Sequence, residues 1–266
     1  VIVNGGLAGL ATASHLSARG YLMTVLEQAA HLGGRLLASY CPEGPSDAWP
    51  PVLMGHQAAT LALLDEIGTR MRVAFSNSLC LEFQLSDGRL ACLMQPWLPA
   101  PLHMIAGLIL FSGLPWRDRW RLFEGLERHW KGDPRLLHDL EDVTAHDWLV
   151  ELGLSKRARA QIWSPLARFF VSNDLTVRSA EIFVSTLARC FWESRRHTRL
   201  AVPSDSMQTL LIKPLTAFLA HRGVRLELNT EAVFLEADGE WVTGTRLRDG
   251  RTLTADWYIV ALPPIS

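Results

Sequence analysis

The chain opens on a short apolar run, Val1-Ile2-Val3, and breaks at Asn4-Gly5-Gly6. Leu7, Leu10, Ala11, Ala13 and Leu16 then recur at helical spacing as far as Gly20. A second apolar run, Leu22 to Leu26, ends on Glu27, and Gly33-Gly34-Arg35 follows. This pattern predicts strand, tight turn, helix and second strand. Pro42, Gly44, Pro45, Pro50 and Pro51 mark residues 38–55 as loop. Ala58, Leu61, Leu64 and Ile67 predict a helix stopped by Gly68, with His56 and Gln57 capping or packing at its start. Alternation over residues 71–93 predicts strands joined at Ser86-Asp87-Gly88-Arg89.

The middle of the chain reads as helices. Leu102 to Phe111 is almost wholly apolar, and Trp116 to Trp130 sets Trp116, Trp120 and Phe123 beside Arg117, Arg119 and Arg121. Further helices are predicted over Asp142–Leu152, from a Ser155 cap to a break at Pro165, and over Ser179–Trp192. The cluster Arg189, Arg195, Arg196, His197 and Arg199 reads as a solvated basic face. Beyond Ala201 a helix split by Pro214 and ended by Gly223 precedes a strand, Val224–Asn229. Three meander strands follow, with turns at Asp238-Gly239 and Asp249-Gly250, and the apolar segment Asp256–Leu262 closes the pattern.

The first 35 residues have the order that a dinucleotide site requires. Gly5 and Gly6 form the turn, and Gly6 lets a pyrophosphate approach backbone N–H groups of Leu7 and Ala8 at the positive end of a helix. Gly9 lets that helix pack close to the strand. Glu27 is placed to accept hydrogen bonds from an adenosine ribose. Asn4 stands where the fingerprint has its first glycine; asparagine tolerates positive φ, so the turn survives with a more crowded site.

Composition narrows the classes. A chain of 266 residues can bury a sizeable core, and its 26 basic and 27 acidic side chains argue against nucleic acid as a partner. Cys41, Cys80, Cys92 and Cys190 lack metal-ligand spacing and read as ordinary thiols of a reducing, cytoplasmic compartment. No secretory signal pattern or span of about 18 apolar residues is visible. A first strand beginning at Val1 and a last strand ending just before Ser266 suggest an interior piece of a longer protein.

Residues 1–37, ending in Gly33-Gly34-Arg35, resemble the entry signature of the flavin-dependent amine oxidase and phytoene desaturase superfamily. The resemblance implies an α/β fold: a Rossmann-like, GR2-type FAD-binding domain built from residues 1–70 and 200–266. It also implies an inserted, mainly helical substrate domain over residues 71–199. It places FAD along Gly5, Gly6, Leu7, Ala8, Gly9, Glu27, Gly34 and Arg35, with Val233 touching the adenine through its backbone. No metal is implied.

Within that superfamily the middle of the chain is similar to the squalene-associated flavin desaturase group, the hydroxysqualene dehydroxylases of bacterial hopanoid pathways. The similarity rests on Leu98-Pro99-Ala100-Pro101-Leu102-His103, on Ser112 to Arg119, and on Trp163-Ser164-Pro165-Leu166-Ala167. Leu53-Met54-Gly55-His56-Gln57 departs from the Asp-Asn-Gly-Gln-His common in the group. The implied chemistry is reductive loss of the hydroxyl of hydroxysqualene, a long apolar isoprenoid. Tryptophan beside arginine also suits peripheral contact with the inner face of a membrane. His56, His103 and Asp205 are conceivable acids, and no catalytic residue is assigned. A carotenoid-type desaturase, an amine oxidase and a non-catalytic relative stay open.

Overall fold

The computed structural model describes residues 1–36, 39–41, 44–46, 52–130, 140–171, 174–177 and 179–263. Two compact units emerge: Val1–Val52, Ala59–Ala74 and Val202–Ser266 form the first, and Leu53–Ala58 with Phe75–Ala201 the second.

The first unit is layered α/β. Strands β1 (Ile2–Val3) and β2 (Thr24–Leu26) run parallel to one another, with β9 (Arg225–Glu227) beside β2 and β13 (Ile259–Val260) beside β1. The strand order is β13-β1-β2-β9. A parallel sheet buries both faces, which is why the central strands β1 and β2 are almost wholly apolar, whereas the edge strand β9 carries Arg225 and Glu227. Helix α1 (Leu7–Ser17) turns Gly9, Leu10, Ala13 and Ser14 inward and packs with α9 (Lys213–His221), whose Leu215 and Leu219 are buried. On the other face Val3 and Leu26 pack with Leu247, Ala232 and Leu253. Those three belong to an antiparallel meander of β10 (Ala232–Asp238), β11 (Trp241–Leu247) and β12 (Thr252–Leu253). Helix α2 (Ala58–Glu66) is tied to the unit through Glu66, which accepts from Ser14 Oγ at 3.1 Å and pairs with Arg222 at 3.7 Å.

The second unit holds the hairpin β6 (Cys80–Gln84) and β7 (Leu90–Met94), the short pair β5 (Leu53–Met54) and β8 (Leu200–Ala201), and a set of helices. These are α3 (Leu102–Leu110), α4 (Trp116–Trp130), α5 (Ala145–Glu151), α6 (Lys156–Ala158), α7 (Ser164–Val171) and α8 (Ala180–Phe191). Phe83, Phe111, Trp148, Trp163, Phe183 and Leu187 belong to one buried cluster. Trp148 and Trp163 meet the Phe183 ring edge-on, at 6.5 and 6.2 Å between centroids. Side chains start the helices as their types predict: Thr144 accepts from Asp147 N, Ser155 from Ala158 N and Ser179 from Ile182 N.

Two expectations need correction. Pro165 and Pro214 do not break their helices. Each follows a five-residue π-helical turn, Arg159–Trp163 before α7 and Gln208–Ile212 before α9. A proline lacks the N–H that would bond four residues back and its ring crowds that carbonyl; a wider turn just upstream relieves both demands. The stretch 38–55, read as loop, contains a short antiparallel pair, β3 (Ser39–Cys41) with β4 (Gly44–Ser46), as well as β5. Backbone pairing makes β3 and β4 without an apolar pattern to announce them, whereas β5 is the apolar, buried pair Leu53-Met54 among the prolines. Pro42, Pro50 and Pro51 lie outside the described residues.

Candidate functional site

The site is built at the carboxyl edge of the parallel sheet. β1 delivers the chain to Asn4, whose φ of 91° is left-handed and whose N–H donates to Leu26 O at 2.8 Å. The Asn4 side chain then makes two bonds that glycine could not. Its Nδ2 donates to Ala261 O at 3.0 Å, and its Oδ1 accepts from Gly6 N at 3.0 Å. The substitution thus ties the turn to the end of β13 and occupies the Gly6 N–H.

The three glycines serve three needs. A Cβ on Gly9 would stand 2.0 Å from Asn4 O, so α1 can lie this close to the turn only without one. A Cβ on Gly5 would meet Leu32 Cδ2 at 2.4 Å, so Gly5 is held by packing. Gly6 is different: a Cβ there would find nothing nearer than the Asn4 side chain at 3.5 Å. The missing side chain at Gly6 leaves open space.

Glu27, at the end of β2, is buried and holds the site together. Its Oε2 accepts from Gly5 N and its Oε1 from Ala29 N, each at 2.8 Å. A carboxylate offers about four acceptor positions, so hydroxyl donors can still be received. Gly33 N donates to Gly5 O at 2.9 Å, and Gly34, with φ of 53°, brings its Cα side against Gly6 before Arg35.

These elements enclose a cavity of about 810 Å³ lined by Gly6, Leu7, Ala8, Glu27, Gly34 and Arg35. Helix α1 enters it with no side-chain cap and no acidic residue in its first turn, leaving a positive end facing the space. Gly5 and Gly9 sit behind the wall and shape it. Val233 does not line the cavity; Ala232 does, while Val233 is 46% exposed. The register of β10 on β11 shifts between Ala232 and Phe234, so Val233 is an extra residue next to the cavity-lining Ala232. Asn4, expected from sequence to crowd the turn, lines the cavity too, and so do Thr230 and Ala261, which sequence did not single out. The end of β13 could have been: a strand beside β1 must deliver its carboxyl end to the same edge.

The other candidate residues lie elsewhere. His56 packs against Cys190, 3.5 Å from ring Nδ1 to Sγ, and burial, then the neighbouring His197 and Arg189, lower its pKa. Gln57 closes its own turn by accepting from Met54 N at 3.1 Å. His103 is fully buried in the second unit, and that burial pushes its pKa below the usual imidazole value. Asp205 pairs with Arg72 at 3.9 Å in the first unit.

The family model described as flavin containing amine oxidoreductase matches residues 7–265. The chain belongs to this family. It is 24% identical over 269 residues to the 15-cis-phytoene desaturase of Narcissus pseudonarcissus, covering 99% of this chain and 47% of that one. It is 24% identical over 282 residues to the zeta-carotene desaturase of a Synechocystis strain, covering 98% and 56%. The chain therefore spans about half the length of the curated relatives it matches. Among solved structures it resembles an oxidoreductase from Methanosarcina mazei (TM-score 0.67, 16% identity, 97% of this chain and 57% of that one). It also resembles a putrescine oxidase (TM-score 0.64, 19% identity, 98% and 57%). At these identities the structures show the fold.

Membership implies a flavin, and the cavity can be tested against a dinucleotide form. The first-turn N–H groups of α1, the side-chain-free wall at Gly6 and Gly34 and the Glu27 carboxylate supply an anion cradle and a hydroxyl acceptor side by side. The residues fit. No group of three or more metal-ligating side chains occurs among the described residues, and none of their helices is long and apolar enough to cross a membrane.

Proposed function

We propose that the protein is an FAD-dependent oxidoreductase of a long apolar isoprenoid, and that its reaction is the reductive dehydroxylation of hydroxysqualene to squalene. The observation that carries the cofactor half is the cradle of Gly6, Leu7, Ala8 and Gly34 beside Glu27. The substrate half is supported by relatives named for phytoene and zeta-carotene, which match nearly the whole chain. The choice of hydroxysqualene rests on the motif resemblance of residues 98–103, 112–119 and 163–167.

In this reading Leu7 and Ala8 N–H groups hold the diphosphate, Glu27 accepts from the adenosine ribose, and Gly34-Arg35 follow the chain toward the flavin. The start of β10, with cavity-lining Ala232 and the backbone of Val233, supplies the strand beside the adenine. FAD, when bound, exchanges a hydride with the substrate carbon. In the reductive direction the hydroxyl takes a proton and leaves as water, and hydride replaces it. In the second unit Ile109 and Leu110 end α3 exposed, and Trp116 and Trp120 open α4 exposed, with the Arg117 guanidinium 5.7 Å from the Trp116 ring. We read this patch as a peripheral contact with the cytoplasmic face of a membrane, through which an apolar substrate is drawn.

Carotenoid desaturation is the second reading, favoured by the names of the relatives themselves. The test uses the longer protein that contains this chain. Anaerobic incubation with reduced FAD and hydroxysqualene, followed by chromatography, should yield squalene. Oxidised FAD with phytoene and a quinone acceptor should yield nothing. Desaturated phytoene without squalene would replace the substrate assignment, and a protein that purifies free of flavin would remove the cofactor reading.

A further inference from the structure

The β6–β7 hairpin presents alternate residues to opposite sides. Leu81 and Phe83 of β6, with Ala91 and Leu93 of β7, pack into or against the core cluster of the second unit. Cys80, Glu82, Leu90, Cys92 and Met94 take the other, more open face. Cys80 is opposite Met94 and Cys92 is opposite Glu82, so the two cysteines are diagonal neighbours on one face. Their sulfurs nevertheless lie 2.8 Å apart, about 0.8 Å more than a disulfide bond. Both are free thiols; Cys80 is exposed and Cys92 partly so.

We propose that Cys80 and Cys92 form a reversible redox pair that closes the hairpin with a cross-strand disulfide when the protein meets hydrogen peroxide. Cys80, the more exposed sulfur, attacks a peroxide oxygen: an S–O bond forms, the O–O bond breaks, and the departing hydroxide is protonated to water. The Cys92 sulfur then attacks the Cys80 sulfur, the S–O bond breaks, and a second water leaves with the Cys92 proton. Two thiols are oxidised by two electrons and one peroxide is reduced to two waters. Burial first, then the Cys80 thiol and Glu82, push the Cys92 thiol up to about 11, and the greater exposure of Cys80 gives it the first meeting with peroxide. An exposed cross-strand link of this kind is of the labile class that thiols reopen. Oxidation would join the first residue of β6 to the middle of β7, on a hairpin whose inner side chains are core.

The experiment treats the intact flavoprotein with an equimolar amount of peroxide, blocks free thiols with N-ethylmaleimide, and maps the unreduced digest by mass spectrometry. The expected result is one peptide pair joined through Cys80 and Cys92 and separated again by dithiothreitol. In Cys92→Ser the Cys80 sulfenic acid should persist and be trapped by dimedone. In Cys80→Ser no peroxide product should form at Cys92. Recovery of both cysteines as maleimide adducts from the treated wild type, or a link from Cys80 to another cysteine, would overturn the proposal. If a serine variant fails to fold, the wild-type map alone decides.

Discussion

Replacing Gly9 with alanine tests how closely α1 must approach the turn before it. The new Cβ would lie 2.0 Å from the Asn4 carbonyl oxygen and 3.4 Å from Ile2 Cγ2. Carbon atoms rarely come within about 3 Å of such an oxygen, so the helix or the turn must shift by about 1 Å. The obstacle is backbone, tied in turn to Leu26 O by the Asn4 N–H, and cannot rotate aside. Overpacking of this kind costs about 3 kcal/mol at the upper end of its usual range. Alanine regains about 1 kcal/mol of helix propensity over glycine. The net loss is about 2 kcal/mol, or roughly 4–8 °C in Tm for a chain of this size. Gly6→Ala is the matched control: its Cβ finds 3.5 Å of clearance, and its φ of −71° suits any residue. With flavin removed from both, that variant should melt within about 2 °C of wild type, while its flavin binding weakens because its methyl enters the cradle. Thermal melts of the flavin-free proteins, and visible spectra of the flavin-loaded ones, make the comparison for wild type and both variants. A Gly9→Ala protein as stable as wild type would show that helix propensity acts unopposed and that the close approach is not real.

Glu27→Ala should lower both flavin retention and stability, the latter by about 2–4 kcal/mol, since it leaves the Gly5 and Ala29 N–H groups without their charged acceptor; denaturant midpoints measure it. Asn4→Gly should retain flavin more tightly on dialysis, because Gly6 N–H is freed for the ligand, and an unchanged off-rate would count against that reading. The buried His103 has its pKa lowered in the folded protein, so the unfolded chain binds the proton first as pH falls. Its contribution is intact above about pH 6.5 and is lost below it, by up to about 1.4 kcal/mol per pH unit. Denaturation of wild type and His103→Gln at about pH 7.5 and about pH 5.5 should show wild type losing more; parallel losses would refute the assignment.

The strand, turn, helix and acid of the first 27 residues are legible in sequence because each is set by neighbours within a few positions: alternation, helical spacing, a glycine where the chain must turn. The meander turns at Asp238-Gly239 and Asp249-Gly250 are legible for the same reason. What long-range packing decides is not written locally. The pairing of β1 with β13 joins residues at opposite ends of the described chain, and only that pairing carries Ala261 to the Asn4 amide. Pro165 and Pro214 look like helix breaks in one dimension, yet a π turn before each lets a packed helix continue. The irregularity that leaves Val233 as the extra residue of β10, next to the cavity-lining Ala232, is likewise set by how β10 pairs with β11 and not by its own sequence. Cys80 and Cys92 read as unrelated thiols because a diagonal contact depends on how two strands pair and twist. Local rules specify the elements; the geometry of a site depends on which elements the core brings side by side, to within a single residue of register.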